Sequence, residues 1–192
     1  GPLLALILVY LFFTLFNAKI TSLTALETMM QQTVIVGVAA IGMTLIIISA
    51  GIDLSAGSII SLSSVVVAQL MTAQGFSPLL AACGGIITGM FCGLMNGVLI
   101  TRLKLVPFII TLGSLLILRG FAKGLAGSMP INVGQSWLSD LLAILPAERK
   151  WMLIPPGAWL MLALALLVSA MLAHTRIGRY IFAVGSNEQT AR

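Results

Sequence analysis

Between Thr33 and Thr72 the chain carries a single charged side chain, Asp53. A bilayer core of about 30 Å needs about 20 predominantly apolar residues per helix. That stretch therefore has room for two spans with a turn between them. Similar runs reach from Pro78 to about Thr101, from Pro107 to about Ala126 and from Pro156 to about Ala173. A shorter one covers Leu3 to Phe16, and Asn17 to Gln32, with Lys19 and Glu27, is polar enough to be a loop. The expectation is an all-α, polytopic bundle of about six spans. Composition agrees: 59% of the 192 residues are hydrophobic and 8% are charged, against roughly 25% charged in soluble domains. A soluble chain of this make-up would have too little polar surface to cover itself.

The formal net charge of +5 does not form a patch interleaved with aromatic residues, so nucleic-acid binding is a poor explanation. The basic residues lie between the apolar runs. Counting alternate sides puts Arg102 and Lys104 with the tail that holds His174, Arg176, Arg179 and Arg192. On the other side Lys19, Arg149 and Lys150 are balanced by Glu27, Asp140 and Glu148. Basic excess in short loops marks the cytoplasmic side, so the tail and the Arg102 loop are expected there, and the loop from Pro130 to Pro155 outside. The chain begins at Gly1 inside an apolar run and stops at Arg192 without a terminating feature, and it reads as part of a longer protein. With no basic segment ahead of it and no cleavage site after it, the first run does not read as a signal peptide.

The turn between the second and third spans is expected at Gly51-Ile52-Asp53-Leu54-Ser55. Gly51 would close one helix in a left-handed conformation, and Asp53 or Ser55 would cap the next. A re-entrant or broken helix is the other arrangement these residues allow. As a functional residue Asp53 could serve a proton relay, but the spans hold no second acid to relay to. Arg119 lies about 18 Å along its helix from Pro107, where a charge costs at least ~2.5 kcal/mol. It either snorkels outward, with Lys123 on the same face, or lines a substrate path. Asp53, Ser55 and Arg119 are the candidate path residues.

The fourth span places Ala81, Gly85, Gly89, Gly93 and Gly97 at every fourth position, a pattern expected to let another helix approach closely. Gly120, Gly124 and Ser128 repeat it more weakly. Cys83 and Cys92 sit about 13 Å apart along the same helix on nearly opposite faces, cannot pair, and are expected to be buried. The lone His174, the separated cysteines and the scattered acids lack metal-ligand spacing. No lysine follows a glycine as in a phosphate-binding loop, and no G-x-S-x-G occurs. Neither a catalytic centre, a metal nor a cofactor is expected. In the tail, Ser186 and Gln189 have capping-box spacing, which predicts a short helix after the amphiphilic stretch Tyr180 to Val184. Residues 174–192 are expected to form a cytoplasmic segment that docks on a partner.

Several segments resemble a known family. Ser49-Ala50-Gly51-Ile52-Asp53-Leu54-Ser55-Ala56-Gly57-Ser58 resembles the S-G-G-I-D-L-S-V-G-S signature of ribose-type ABC sugar permeases. Asn96-Gly97 is similar to the N-G of its N-G-L-L-I. Pro107-Phe108-Ile109-Ile110-Thr111-Leu112-Gly113 with Arg119-Gly120 resembles P-F-I-V-T-L-G and the following R-G. Thr175-Arg176 to Gly178-Arg179, then Ala183 to Arg192, is similar to T-R-x-G-R and A-I-G-G-N-x-x-A-A-R. Ala50, Ala56, Ser186 and Thr190 stand where the family has Gly, Val, Gly and Ala.

The resemblance implies a permease of a bacterial inner-membrane importer, a single transmembrane domain over residues 1–192. Its partners would be a second permease copy, a separate ABC ATPase and a periplasmic sugar-binding protein. Gly185, Asn187, Glu188 and Arg192 would couple it to the ATPase. A secondary transporter, an ABC permease for branched-chain amino acids and a membrane enzyme or structural subunit are the competing classes. A secondary transporter would suit a broken helix near Gly51 but not the missing acid pair, and no nucleophile–base pair supports an enzyme.

Overall fold

A computed structural model describes residues 1–143 and 154–186. All regular structure among them is helical. The elements are α1 (Pro2–Phe16), a 3-10 turn (Ala18–Thr21), α2 (Leu23–Ile48), α3 (Ala56–Thr72), α4 (Pro78–Leu103), α5 (Pro107–Leu125), α6 (Trp137–Asp140), α7 (Pro156–His174) and α8 (Arg176–Ser186). Four of them, α2, α4, α5 and α7, are long and apolar enough to cross a membrane, while α1 and α3 are shorter apolar helices. Proline opens α1, α4, α5 and α7 within the first two positions, where its missing N–H is not needed and its fixed φ already suits a helix.

The polar stretch Asn17 to Gln32 is not a loop. Asn17 caps the 3-10 turn by accepting from the Lys19 amide at 3.0 Å, and Ser22 accepts from the Ala25 amide to open α2 at Leu23. Within this stretch Thr28 donates back into the helix, to the Thr24 carbonyl, and Thr33 just after it does the same to that of Met29. Their hydroxyls are satisfied without leaving helical geometry.

The helices form two packed sets. In one, α4 runs antiparallel to α3 and α5, which are parallel to each other, around Leu62, Cys92, Leu118 and Ala122. In the other, α2 and α7 run parallel and in contact, and α8 crosses their ends. Val34 is buried beside Gly157, and Gly37 leaves room only for the Met161 side chain. The short α6 carries a capping box between Ser136 and Ser139. After it, the Leu141 carbonyl accepts from the Gly157 amide at 2.8 Å, tying the loop to the start of α7. Ile86, Ile87, Met90, Phe91 and Leu94 leave α4 with a continuous uncovered apolar side, which lipid or another protein must solvate.

Three further expectations change. Cys92 is buried but Cys83 is exposed. Residue 50, not 51, adopts the left-handed conformation: Ala50 has φ of 59°, and the Gly51 amide returns to the Ile46 carbonyl at 2.8 Å. Gly51 sits in a tight place instead, since a Cβ there would stand 3.0 Å from Ile46 Cγ2 and 3.2 Å from the Ile46 carbonyl oxygen. In the tail a helix opens at Arg176 rather than at Ser186. Thr175 is extended and closes α7, and its hydroxyl oxygen accepts from the Gly178 amide at 3.2 Å, so one residue ends a helix and caps the next. Ser186 is helical and is the last described residue of α8, and Gln189 lies outside the described residues.

Candidate functional site: a buried polar chain beside a cavity

The turn between α2 and α3 does not reach the end of the bundle. It lies against Asn96, seven positions before the last residue of α4 and so about 10 Å inside that helix's end. The α3 helix, at 17 residues, is about 25 Å long and begins within the apolar layer. Backbone that unwinds at such depth must be satisfied by protein. Asp53 does much of this. One carboxyl oxygen accepts from the Ser55 amide at 2.7 Å and from the Ser55 hydroxyl at 2.6 Å. Asp53 thus makes an Asx turn just ahead of α3. The Ser55 hydroxyl makes no bond to the start of the helix.

That hydroxyl belongs to a longer chain. Fully buried Ser55 accepts from Asn96 Nδ2 at 2.9 Å, and Asn96 Oδ1 accepts from the Ser114 hydroxyl at 2.5 Å. Donors therefore point from α5 through α4 to the carboxyl group of Asp53. Ser58 extends the α3–α5 seam by donating to the Leu115 carbonyl at 2.8 Å, and Gln69 donates to that of Leu125 at 2.8 Å. Thr111 bonds the Pro107 carbonyl at 2.9 Å and lies 3.5 Å from that of Ile52. Among the described residues no buried side-chain polar atom lacks a partner. A fully satisfied network in a low dielectric holds three helices in one register, and a half-satisfied one would be costly.

Beside this chain is a cavity of about 300 Å³ lined by Leu54 from the turn, by Gly57, Ser58 and Ser61 from the start of α3 and by Leu115 and Arg119 from α5. Arg119 stands one turn beyond the carbonyl that Ser58 holds. Among the described residues neither its guanidinium nor the Ser61 hydroxyl has a hydrogen-bond or ion-pair partner. Arg119 offers up to five N–H donors, and a serine hydroxyl can donate and accept. Such a lining can bind an oxygen-rich solute.

The structure thus brings Asp53 and Ser55 into direct contact and places Arg119 on the wall of a cavity that Leu54, between those two in sequence, also lines. Asn96, Ser114, Ser58, Ser61 and Thr111 were not singled out as site residues from the sequence. Their signal is a polar side chain inside an uncharged apolar run. Of the glycine series, a Cβ on Gly85 would stand 2.5 Å from Val67 Cγ2, and one on Gly89 would be 3.6 Å from Ser63 Oγ. A Cβ on Gly93 or Gly97 would meet nothing within 4 Å. A step of four residues advances about 40° around a helix, so the series winds off the contact face. The buried line instead runs Ala81, Gly85, Cys92, Asn96. Gly185 packs on the Ile48 carbonyl at the end of α2. Asn187, Glu188 and Arg192, like Glu148, Arg149 and Lys150, lie outside the described residues.

Comparison with known proteins agrees with these motifs. The chain is 32% identical to the ribose import permease protein of Escherichia coli (strain K12), covering 99% of this chain and 59% of that protein. It is 34% identical to the fructose import permease protein of Rhizobium meliloti, covering 100% of this chain and 54% of that one. It is also 31% identical to the autoinducer 2 import system permease protein of Salmonella typhi, covering 99% of this chain. The chain spans between 53% and 59% of the length of these curated relatives. No solved structure matches it. A family model described as the branched-chain amino acid transport system / permease component matches residues 25–192, and the chain belongs to that family of membrane permeases.

Proposed function

We propose that this chain is the membrane-spanning permease part of an ATP-binding-cassette importer that moves a small, hydroxyl-rich solute of the monosaccharide class. The observation that carries the reading is the Ser58–Ser61–Arg119 cavity beside the Asp53–Ser55–Asn96–Ser114 chain, in a chain whose relatives are named as ribose and fructose import permeases. Arg119 and Ser61 supply the donors a sugar hydroxyl seeks, and Asp53 and Ser55 hold the unwound entrance of α3 that forms one wall. The chain itself does no bond chemistry. A separate ATPase supplies the energy, a binding protein delivers the solute, and a second permease copy completes the path. The end of the bundle with Arg102, Arg176 and Arg179 faces the cytoplasm by the positive-inside rule. A Gln135→Cys label reached by an impermeant thiol reagent only after the cells are opened would reverse that orientation.

The family model's description favours a second reading, a branched-chain amino acid. One experiment separates the two. The full permease is reconstituted with its ATPase and binding protein, and uptake of labelled ribose, fructose and leucine is compared for the parent and Arg119→Ala. Sugar uptake that falls at least tenfold in Arg119→Ala, with partial return in Arg119→Lys, is expected, because lysine restores the charge but not the planar fork. Leucine uptake alone, or sugar uptake unaffected by Arg119→Leu, would defeat the proposal.

A further inference from the structure

Helix α8 follows α7 after a one-residue corner, so it starts at the boundary of the apolar layer. Its rotation is fixed at two points. A Cβ on Gly178 would fall on the Leu172 carbonyl group of α7, and one on Gly185 on the Ile48 carbonyl oxygen of α2. Gly178, Ile181 and Gly185 therefore face the bundle. At 3.6 residues per turn, Arg176 lies roughly 170° and Arg179 roughly 125° from that face, both on the side away from the bundle. On the flank opposite Arg179, Ile177 and Val184 lie roughly 75° and 95° from it, and so point sideways, with Tyr180 roughly 135° round on the same flank. These three are uncovered, at 60%, 41% and 65% exposure. The helix contains two arginines and no acid, and Arg102 and Lys104 stand at the same end of the bundle. An apolar edge in the plane of the membrane with a basic face toward water is the arrangement of a helix lying in the bilayer interface.

We propose that α8 is an interfacial helix that binds acidic phospholipid. Ile177, Tyr180 and Val184 seat at the headgroup boundary of the leaflet at that end of the bundle, while Arg176 and Arg179 hold lipid phosphates. The observations that choose lipid over a protein occupant are the junction with a span, the sideways direction of Ile177 and Val184, and a helix that among the described residues carries two arginines and no acid. The inference does not depend on which solute the permease carries.

The test uses the full permease with Cys83 and Cys92 replaced, carrying an environment-sensitive fluorophore at Val184→Cys or, as a control on the polar side, at Ala183→Cys. In nanodiscs of phosphatidylcholine and phosphatidylglycerol, lipids brominated high on the acyl chain should quench the Val184 label several-fold more than the Ala183 label. Retention of phosphatidylglycerol over phosphatidylcholine by the purified permease should fall about fivefold for each of Arg176→Gln and Arg179→Gln. Equal quenching at the two positions would overturn the proposal. So would a Val184 label that crosslinks to the ATPase or to a second permease and is shielded from brominated lipid in the assembled complex. Unchanged lipid retention in the double variant would remove the acidic-lipid part.

Discussion

Asn96 donates to the Ser55 hydroxyl oxygen at 2.9 Å across 41 positions of sequence, while its own carbonyl accepts from Ser114. Ser55 can accept because its proton is already committed to Asp53. The amide gives through its nitrogen and takes through its oxygen, so it cannot be exchanged for its acid. Asn96→Ala should destabilise the permease by about 2 kcal/mol, the cost of leaving buried partners unmade. Asn96→Asp should be worse, since it turns a second oxygen toward Ser55 near the Asp53 carboxyl. Ser114→Ala should be the mildest. Denaturant unfolding in micelles gives the order, and an Asn96→Asp variant as stable as the parent would show that the bridge is not required.

Ala50 occupies a left-handed conformation with φ of 59°, which costs an L-residue with a Cβ about 1 kcal/mol or more. The ribose-type signature has glycine at this position. Ala50→Gly should therefore raise the apparent Tm by about 3 °C for a domain of this size, less whatever backbone entropy glycine adds to the unfolded chain. A fall in Tm would mean that the Ala50 methyl group contributes packing.

Glycines 85 and 93 share a series but not a surroundings. A Cβ on Gly85 would press on Val67, whereas Gly93 has nothing within 4 Å of that position. Gly85→Leu should cost at least 1–3 kcal/mol by overpacking, and Gly93→Leu should leave the fold of the single chain unchanged. Circular dichroism and thermal melts of the two purified variants test this. Equal losses would mean that both halves of the series pack within one chain.

Much of the helix order was legible because its signals are local. Pro78, Pro107 and Pro156 mark helix starts through their own geometry, and Asp53 interrupts an uncharged run. The beginning of α2 was not legible by polarity, because Thr28 looks loop-like until its back-bond to the helix is seen. The polar chain was only half legible. Asp53 and Ser55 are two apart, and their turn chemistry is visible in sequence. Asn96 and Ser114 join them only once α4 has turned the chain back on itself, which no local pattern encodes. The glycine series divides for a geometric reason: a repeat of four does not stay on one side of a helix that turns every 3.6 residues, so Gly85 meets Val67 while Gly93 and Gly97 meet nothing within 4 Å.

Gly185 gives the remaining prediction. Its hydrogen-only side lets α8 rest on the Ile48 carbonyl, at the last residue of α2. Immediately beyond, Ala50 donates to the Ile47 carbonyl and Gly51 to that of Ile46, and Asp53 follows with its bonds to Ser55. A displacement of α8 is thus delivered to the segment that holds the start of α3, one wall of the Arg119 cavity. The expectation is that Gly185 acts through α2 rather than by touching an ATPase. Gly185→Ala should lift α8 from α2, and in the reconstituted importer it should remove most of the solute-stimulated ATP hydrolysis while basal hydrolysis and complex assembly persist. Ala183→Leu, on the outward side of the same helix, should leave stimulation intact. A spin-label pair on α2 and α8 should report a longer and broader distance in Gly185→Ala than in the parent. If stimulation is lost without any change in that distance, Gly185 contacts the partner directly, and the route through Ile48 is wrong.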